Sequence, residues 1–472
     1  MMEVDVVAIG SGPAGREAAL AAVEAGASAM VVEQDREVGG GCVRFGTIPS
    51  KTLRETAVVL RSLGRKTAGV FKTGASRDHE LAALTRRLGE VVDAHDRAMR
   101  AELEGAGVAV VQGRARLRGR DEVEIQPVRG EPKRVRARRA IVLATGSRPR
   151  TPDHVPVDHE SVLDSDSILS LTYLPESLIV LGGGVIASEY ASIFAALGVH
   201  VAMLDKGPRP LGFLDPELTQ RFERALQAMG GSFVPGSAVA RVEPSGLGAV
   251  RVTLADGGVL EAEKVLCALG RVANVELLDL GAAGLALSAR GHVPVGPHGE
   301  TAVPGIYAVG DVAGPPALAT SAADQGRRAA RHALGLGDEP GAWVVPTGVY
   351  TIPELACVGL DEASAREKHG TVLVGRAPFA QTARGMIAGN EEGFLKLVAS
   401  PDGERVLGVA AVGEGASELV SVGQVAMLAG FPVDRFVRSV FNFPTMMEAY
   451  RLAAVDIRRQ RERGAQPAAA AE

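Results

Sequence analysis

Read as apolar and polar positions, the chain opens on a short apolar run, Val4 to Ile9, interrupted only by Asp5, inside EVDVVAIG. A run of that length, rich in Val and Ile, predicts a parallel strand buried on both faces. An alanine-rich helix follows from Glu17 to Glu24, and then a strand, SAMVVEQ, which ends at Glu33. The same order returns later: a strand from Ser177 to Leu181, a helix, and the strand VHVAML before Asp205. Strands that alternate with helices in this way predict an α/β fold with parallel sheets. Residues 52–105 predict two helices, Thr52 to Leu63 and a second after Ser76, an N-cap candidate. The second carries Leu81, Leu84, Leu88, Val91, Val92 and Leu103 at helical spacing, a stripe suited to core or dimer packing. From 114 to 139 arginine alternates with apolar residues (RARLRGR, then KRVRARR), which predicts an exposed β-meander. The end, RRQRERGAQPAAAAE from Arg458, is low in complexity and predicts a frayed tail.

The turns between strand and helix carry the chemistry. After the first strand, GSGPAG places Gly10, Gly12 and Gly15 in a G-x-G-x-x-G spacing, with Pro13 and Ala14 between. Gly10 allows a tight turn, Gly12 lets a pyrophosphate approach the backbone, and Gly15 lets helix and strand pack closely. The helix start then offers unpaired N–H groups to the anion. Glu33 lies 23 residues after Gly10, where a carboxylate can accept a ribose hydroxyl. In the second copy GGGVIA supplies Gly182, Gly184, Val185 and Ala187, and Asp205 stands 23 residues after Gly182. One such turn alone is weak; two, each with its acid, predict two bound dinucleotides. Asp205 suits the free 2′-hydroxyl of NAD, whereas Lys206 and Arg209 in DKGPR could neutralise the 2′-phosphate of NADP.

Composition and charge narrow the class. At 472 residues the chain is long enough for about three domains. A formal charge of -5, with no aromatic residues among the arginines of 114–139, argues against a nucleic-acid partner. Three cysteines imply no disulfide framework and a reducing compartment. A strand pattern from residue 3 leaves no room for a signal peptide, and glycines and Glu189 interrupt the longest apolar region, Leu178 to Leu204. A cytoplasmic enzyme without membrane or metal is the expectation.

The order GSGPAG, GGGC, IPSK, ATG, GGGVIASE, GR and GD resembles the pyridine nucleotide-disulfide oxidoreductase family. The resemblance extends to about Arg463, through YTIPELACVGL near residue 350 and FNFPTMMEAYR near residue 445, which are similar to the family's dimerisation domain. It implies two Rossmann-like domains, for FAD and NAD(P), and a C-terminal α+β domain that forms a homodimer. The expected boundaries are 1–150 and 273–343 for FAD, 151–272 for NAD(P), 344–463 for the interface domain and 464–472 for a disordered tail. RAIVLATGSRPRTP, Arg139 to Pro152, looks like the crossing out of the FAD domain, and KVLCALGRVAN, Lys264 to Asn274, like the return. By the same resemblance Asp311, after Gly310, accepts a ribityl hydroxyl. Gly40, Gly41, Cys42, Thr47, Thr145, Gly146, Gly270 and Arg271 complete the cofactor-binding set. Lys51 resembles the lysine beside the flavin and Glu189 its ion-pair partner, so that the catalytic candidates are Lys51, Glu189 and Cys42.

The chain departs from the disulfide-reducing members in two places. Thr47 stands for the second cysteine of C-x-x-x-x-C, and Phe443 stands where a histidine precedes Pro-Thr. No histidine occurs after His369. Glu448 remains, with a capping box, Thr445 to Glu448, as its structural explanation. A thiol cannot form an intramolecular disulfide with a threonine. Cys267, in the expected return strand, and Cys357, in the interface domain, are not expected within the ~7 Å Cα reach of a disulfide. Both departures look most like the soluble pyridine nucleotide transhydrogenases. That implies FAD-dependent hydride transfer between NADPH and NAD. The alternatives are electron transfer from FAD to a quinone, a dye or oxygen, a lone redox thiol at Cys42, or a flavoprotein subunit docked on another protein.

Overall fold

The computed structural model describes residues 2–66, 77–246, 248–337 and 344–465. The first apolar run becomes the strand Met2–Ile9, between Ala29–Glu33 and Lys133–Leu143, parallel to both. It lies near the centre of a seven-stranded sheet. Ala109–Gln112 and Ile306–Ala308 add parallel strands. Arg114–Leu117, Glu122–Gln126 and the first half of Lys133–Leu143 form the antiparallel meander. This meander is half-buried, not exposed throughout. Ala115, Leu117, Val123, Ile125, Val135 and Ala137 face the core. Three of the outward arginines pair with acids, Arg118 with Glu124, Arg134 with Glu122 and Arg136 with Asp121.

A second parallel sheet runs in the order Ser232–Val234, His200–Leu204, Ser177–Leu181, Lys264–Cys267 and Val162–Asp164. Of the segment 264–274 expected as the return, the first part, Lys264–Cys267, is a strand of this second sheet. The return is made by Arg271–Ala273, paired antiparallel with Ser147–Pro149. The apolar VLC triplet needs burial on both faces, and only the sheet interior provides it.

The last sheet is antiparallel throughout: Thr347–Val349, Leu355–Gly359, Val406–Val412, Phe394–Ala399 and Leu373–Pro378. Helices Ala416–Leu428 and Glu448–Ala465 pack on it around Phe379, Leu397, Val409, Phe436 and Tyr450. The Tyr450 hydroxyl donates to the Leu419 carbonyl at 2.6 Å, so a fully buried polar tip is satisfied.

Three local expectations change. The helix expected from Thr52 already starts at Thr47 and runs to Lys66, with Pro49 in its first turn, where a missing N–H is no loss. Lys51 therefore sits on a helix. The capping box is not made: the Thr445 hydroxyl donates to the Asn442 carbonyl, and Glu448 accepts from the Ala383 N–H at 3.1 Å. The last helix continues through Arg458 to Ala465, so the tail is helical that far, and 466–472 lie outside the described residues. In helix Arg77–Gly105, Leu103 is buried and Leu88, Val91 and Val92 are half-buried. Ser76 and the side chains of Leu81 and Leu84 lie outside the described residues.

Candidate functional site

Two phosphate turns begin the site. Gly10 has φ +106°, and a Cβ there would lie 2.4 Å from the Ala144 carbonyl oxygen. A Cβ on Gly15 would lie 1.9 Å from the Gly10 oxygen. Both positions exclude every other residue. Gly12 caps helix Pro13–Glu24 without a side-chain hydrogen bond, and the space beside it is open to 4.0 Å. The second turn repeats this design. Gly182 has φ +116° against the Ala268 oxygen, and Gly184 caps helix Val185–Ala196 with open space around it. Each turn thus presents unpaired N–H groups at a helix start with no side chain in the way, the form an anion requires.

Glu33, buried at the end of its strand, is oriented by the first turn. Its carboxylate accepts from the Ser11 N–H at 2.9 Å, the Ser11 hydroxyl at 2.5 Å and the Asp35 N–H at 3.0 Å. The Ser11 hydroxyl oxygen in turn accepts from the Gly39 N–H at 2.9 Å. Through this relay the GGGC segment folds back over the phosphate turn, and a Cβ on Gly40 would meet the Gly12 Cα at 3.0 Å. Short helix Gly40–Arg44 then carries Cys42, with Gly41 exposed beside it. Asp311 accepts from the Ser147 hydroxyl at 2.5 Å, and that oxygen accepts from Arg271 Nε at 2.8 Å. The Thr145 hydroxyl donates to the Asn274 carbonyl, the Gly146 carbonyl accepts from the Asn274 N–H, and the Gly270 carbonyl accepts from the Arg150 N–H. Thr145, Gly146, Gly270 and Arg271 thus fasten the crossing between the two sheets. The Gly310 N–H is held by Gln325 at 2.7 Å.

Between the two turns lies an ion pair. Lys51 Nζ donates to Glu189 Oε1 at 3.0 Å and Oε2 at 2.8 Å, and to the Ser50 hydroxyl at 3.2 Å. Glu189 is almost wholly buried, and Lys51 is about a quarter exposed, 27%. The lysine comes from the helix after the first turn and the glutamate from the helix of the second, 138 positions away. Glu189 also accepts from the Tyr350 N–H at 2.9 Å. Tyr350, Thr351 and Ile352 were not among the expected site residues. Their only sequence signal is an aromatic residue ahead of TIPE.

Cys42, Cys267 and Cys357 are all free. Burial pushes the Cys42 thiol up from its ordinary range, against a hydrogen bond from Thr47 and the charge of Lys51. The thiol is therefore mainly protonated at neutral pH and a poor nucleophile. Phe443 is 69% exposed on the loop ahead of the last helix. In the second turn Asp205 accepts from the Gly207 N–H at 2.6 Å, and Lys206 is exposed. Arg209, which could neutralise a 2′-phosphate, donates to the Gly212 and Leu214 carbonyls and the Thr219 hydroxyl. Two carbonyls in range capture the guanidinium fork, so this charge shapes its own loop.

Comparison with known proteins agrees with this geometry. Residues 4–326 match the family described as pyridine nucleotide-disulphide oxidoreductase, and 345–454 match the dimerisation domain of the same family. A soluble pyridine nucleotide transhydrogenase of Mycobacterium bovis is 39% identical over 97% of this chain and 97% of its own. That of Marinomonas sp. is 36% identical over 96% and 97%. Among solved structures, LpdA of Mycobacterium tuberculosis superposes with a TM-score of 0.89 at 29% identity, covering 98% of this chain and all of that one. The flavoprotein disulfide reductase RclA of Escherichia coli gives 0.85 at 25%, covering 96% and 99%. Two uncapped phosphate turns and an acid behind each fit FAD and a nicotinamide nucleotide. The chain belongs to the pyridine nucleotide-disulphide oxidoreductase family and is an oxidoreductase with FAD and NAD(P) as its cofactors.

Proposed function

We propose that the protein is a cytoplasmic homodimer that moves hydride between NADPH and NAD in a ping-pong cycle, without a redox disulfide. The observation that carries this is the Lys51–Glu189 pair, joining the two nucleotide halves beside a Cys42 whose neighbour is a threonine. Bound FAD would supply the hydride-carrying chemistry between the two nicotinamides. The first turn and Glu33 would hold its adenosine diphosphate part, and Asp311 its ribityl chain. Lys51 would set a fixed positive charge against the flavin. Glu189 keeps that charge in place, its two carboxylate oxygens accepting from the ammonium at 3.0 and 2.8 Å. The second turn, with Asp205, would receive NAD and NADP in succession, and exposed Lys206 is the charge available for the 2′-phosphate.

The names of the relatives support this reading, as does the lack of any histidine after His369. Three free thiols suit a reducing compartment. Among the described helices none is long and apolar enough to cross a membrane. The homodimer rests on the match at 345–454 and on exposed Val440 and Phe443. The likeness to RclA, a flavoprotein disulfide reductase, favours a thiol-based rival, but a protonated Cys42 without a second thiol argues against it.

The test is anaerobic. Purified holoenzyme is mixed with NADPH and a spectrally distinct NAD analogue, with quinone, dye and oxygen reduction run in parallel. Rapid analogue reduction with parallel-line kinetics is expected. Flavin reduction by NADPH without reoxidation by the analogue would reject the relay.

A further inference from the structure

We propose that Tyr350 is a positioning residue for the Lys51–Glu189 pair, reaching it from the third domain with both its main chain and its ring. This rests on the reading above, in which Lys51 places its charge against the flavin. Glu189 Oε1 accepts two hydrogen bonds, from Lys51 Nζ at 3.0 Å and from the Tyr350 N–H at 2.9 Å. The ammonium also lies over the Tyr350 ring, 5.0 Å from its centroid. At that distance the ring quadrupole attracts the cation. One residue therefore holds the anion by its N–H and the cation by its π-face.

The ring has a seat of its own. A Cβ on Gly348 would lie 3.3 Å from Tyr350 Cε2 and 3.5 Å from Cζ, so the ring rests against bare backbone on the side of its own strand. The segment that carries it is tied to both nucleotide halves at successive residues. The Thr351 carbonyl accepts from Arg54 Nε at 3.1 Å, and the Ile352 N–H donates to the Ser192 hydroxyl at 3.1 Å. Arg54 lies one turn beyond Lys51 on the same helix, and Ser192 one turn beyond Glu189. Arg54 and Glu354, both largely buried, add an ion pair at 3.1 Å. The segment thus locks the spacing of the two helices whose side chains form the pair. A lysine held only by Glu189 would swing on its four-carbon stem, since the carboxylate fixes its distance but not its direction.

The experiment measures the flavin reduction potential and the rate of flavin reduction by NADPH, with thermal midpoint as a folding control. The variants are Tyr350→Leu, Tyr350→Phe and Lys51→Met. Tyr350→Leu should lower the flavin reduction equilibrium about three- to tenfold and slow reduction similarly at unchanged KM. Tyr350→Phe keeps the ring and should restore both. Lys51→Met should lower the equilibrium further. If Lys51→Met shifts the equilibrium and Tyr350→Leu leaves it at the native value, the role of Tyr350 is overturned while the flavin reading stands. If Lys51→Met shifts nothing, the flavin reading itself fails, and with it this inference. A rate loss in Tyr350→Phe equal to that in Tyr350→Leu would move the role to the hydroxyl and overturn the π-face argument. Should Tyr350→Leu not fold, Tyr350→Met, unbranched and flexible, takes its place with the same expected shift.

Discussion

At Cys42 two influences compete, and burial wins over the Thr47 hydroxyl and the Lys51 charge. Cys42→Ser should therefore leave hydride exchange largely intact in a steady-state assay. A fall of 100-fold, about 2.7 kcal/mol of barrier, would bring the lone-thiol mechanism forward. The Thr47–Cys42 contact gives a sharper test. Thr47→Cys should close a disulfide on air oxidation, so that the denatured variant titrates two thiols instead of four. Four would mean that the two side chains do not meet. Lys51 and Glu189 could be suspected from IPSK and GGGVIASE, and the structure joins them across 138 positions. Tyr350 could not, because its key donor is a backbone N–H, which every residue but proline carries. Arg209 shows the converse: its charge is visible in DKGPR, but the carbonyls of Gly212 and Leu214 that absorb it are not.

Between elements, helices Pro13–Glu24 and Ala319–Ala333 pack tightly at the first turn. A Cβ on Gly326 would stand 2.0 Å from the Ala14 carbonyl oxygen. Gly326→Ala gains helix propensity but must push the two helices apart, for a net loss of about 1–3 kcal/mol. The readouts are a lower thermal midpoint and purified protein with less flavin, because Ala14 belongs to the phosphate turn. A variant as stable and as yellow as the parent would refute the close packing. The strands and helices around both turns could be read from apolar periodicity, since buried parallel strands leave little choice of residue. What periodicity missed was partner choice. VLC in Lys264–Cys267 reads as a buried strand in either sheet, and only pairing with Ser177–Leu181 decides which. Likewise TMME has the letters of a capping box, but Glu448 finds the Ala383 N–H first.

Across the whole molecule, a charge cluster centred on buried Lys396 joins the third sheet to the start of helix Pro216–Ala228. Lys396, 1% exposed, lies 2.8 Å from Asp215 and 2.5 Å from Glu217, and Arg376 binds Glu217 and Glu362. Burial alone would strip the Lys396 charge, but the hydrogen bonds and charges of Asp215 and Glu217 outweigh it and raise its pKa. Lys396→Met leaves buried Asp215 without its cation, while Glu217 keeps Arg376, and should cost about 3–5 kcal/mol by denaturant titration. A loss below ~1 kcal/mol would contradict the cluster. Glu217 is held from the ordinary 4.5 down to about 2, chiefly by its hydrogen bond from Arg376. A carboxylate with a depressed folded pKa contributes its full stability above about 4.5 and loses it as pH falls through about 2. Acid should therefore loosen this junction between those values, seen as new proteolytic cuts around residue 215. Cutting that began only below pH 2 would place the acid-labile contact elsewhere.

The three free cysteines are spread as one beside the first sheet (Cys42), one in the second (Cys267) and one in the third (Cys357). Burial raises each thiol, Cys357 to about 11, so none is quick to alkylate while its surroundings stay closed. The chain thus carries its own three clocks. Pulse labelling followed by peptide mapping would time the opening of each region separately, on the native protein and without an introduced cysteine.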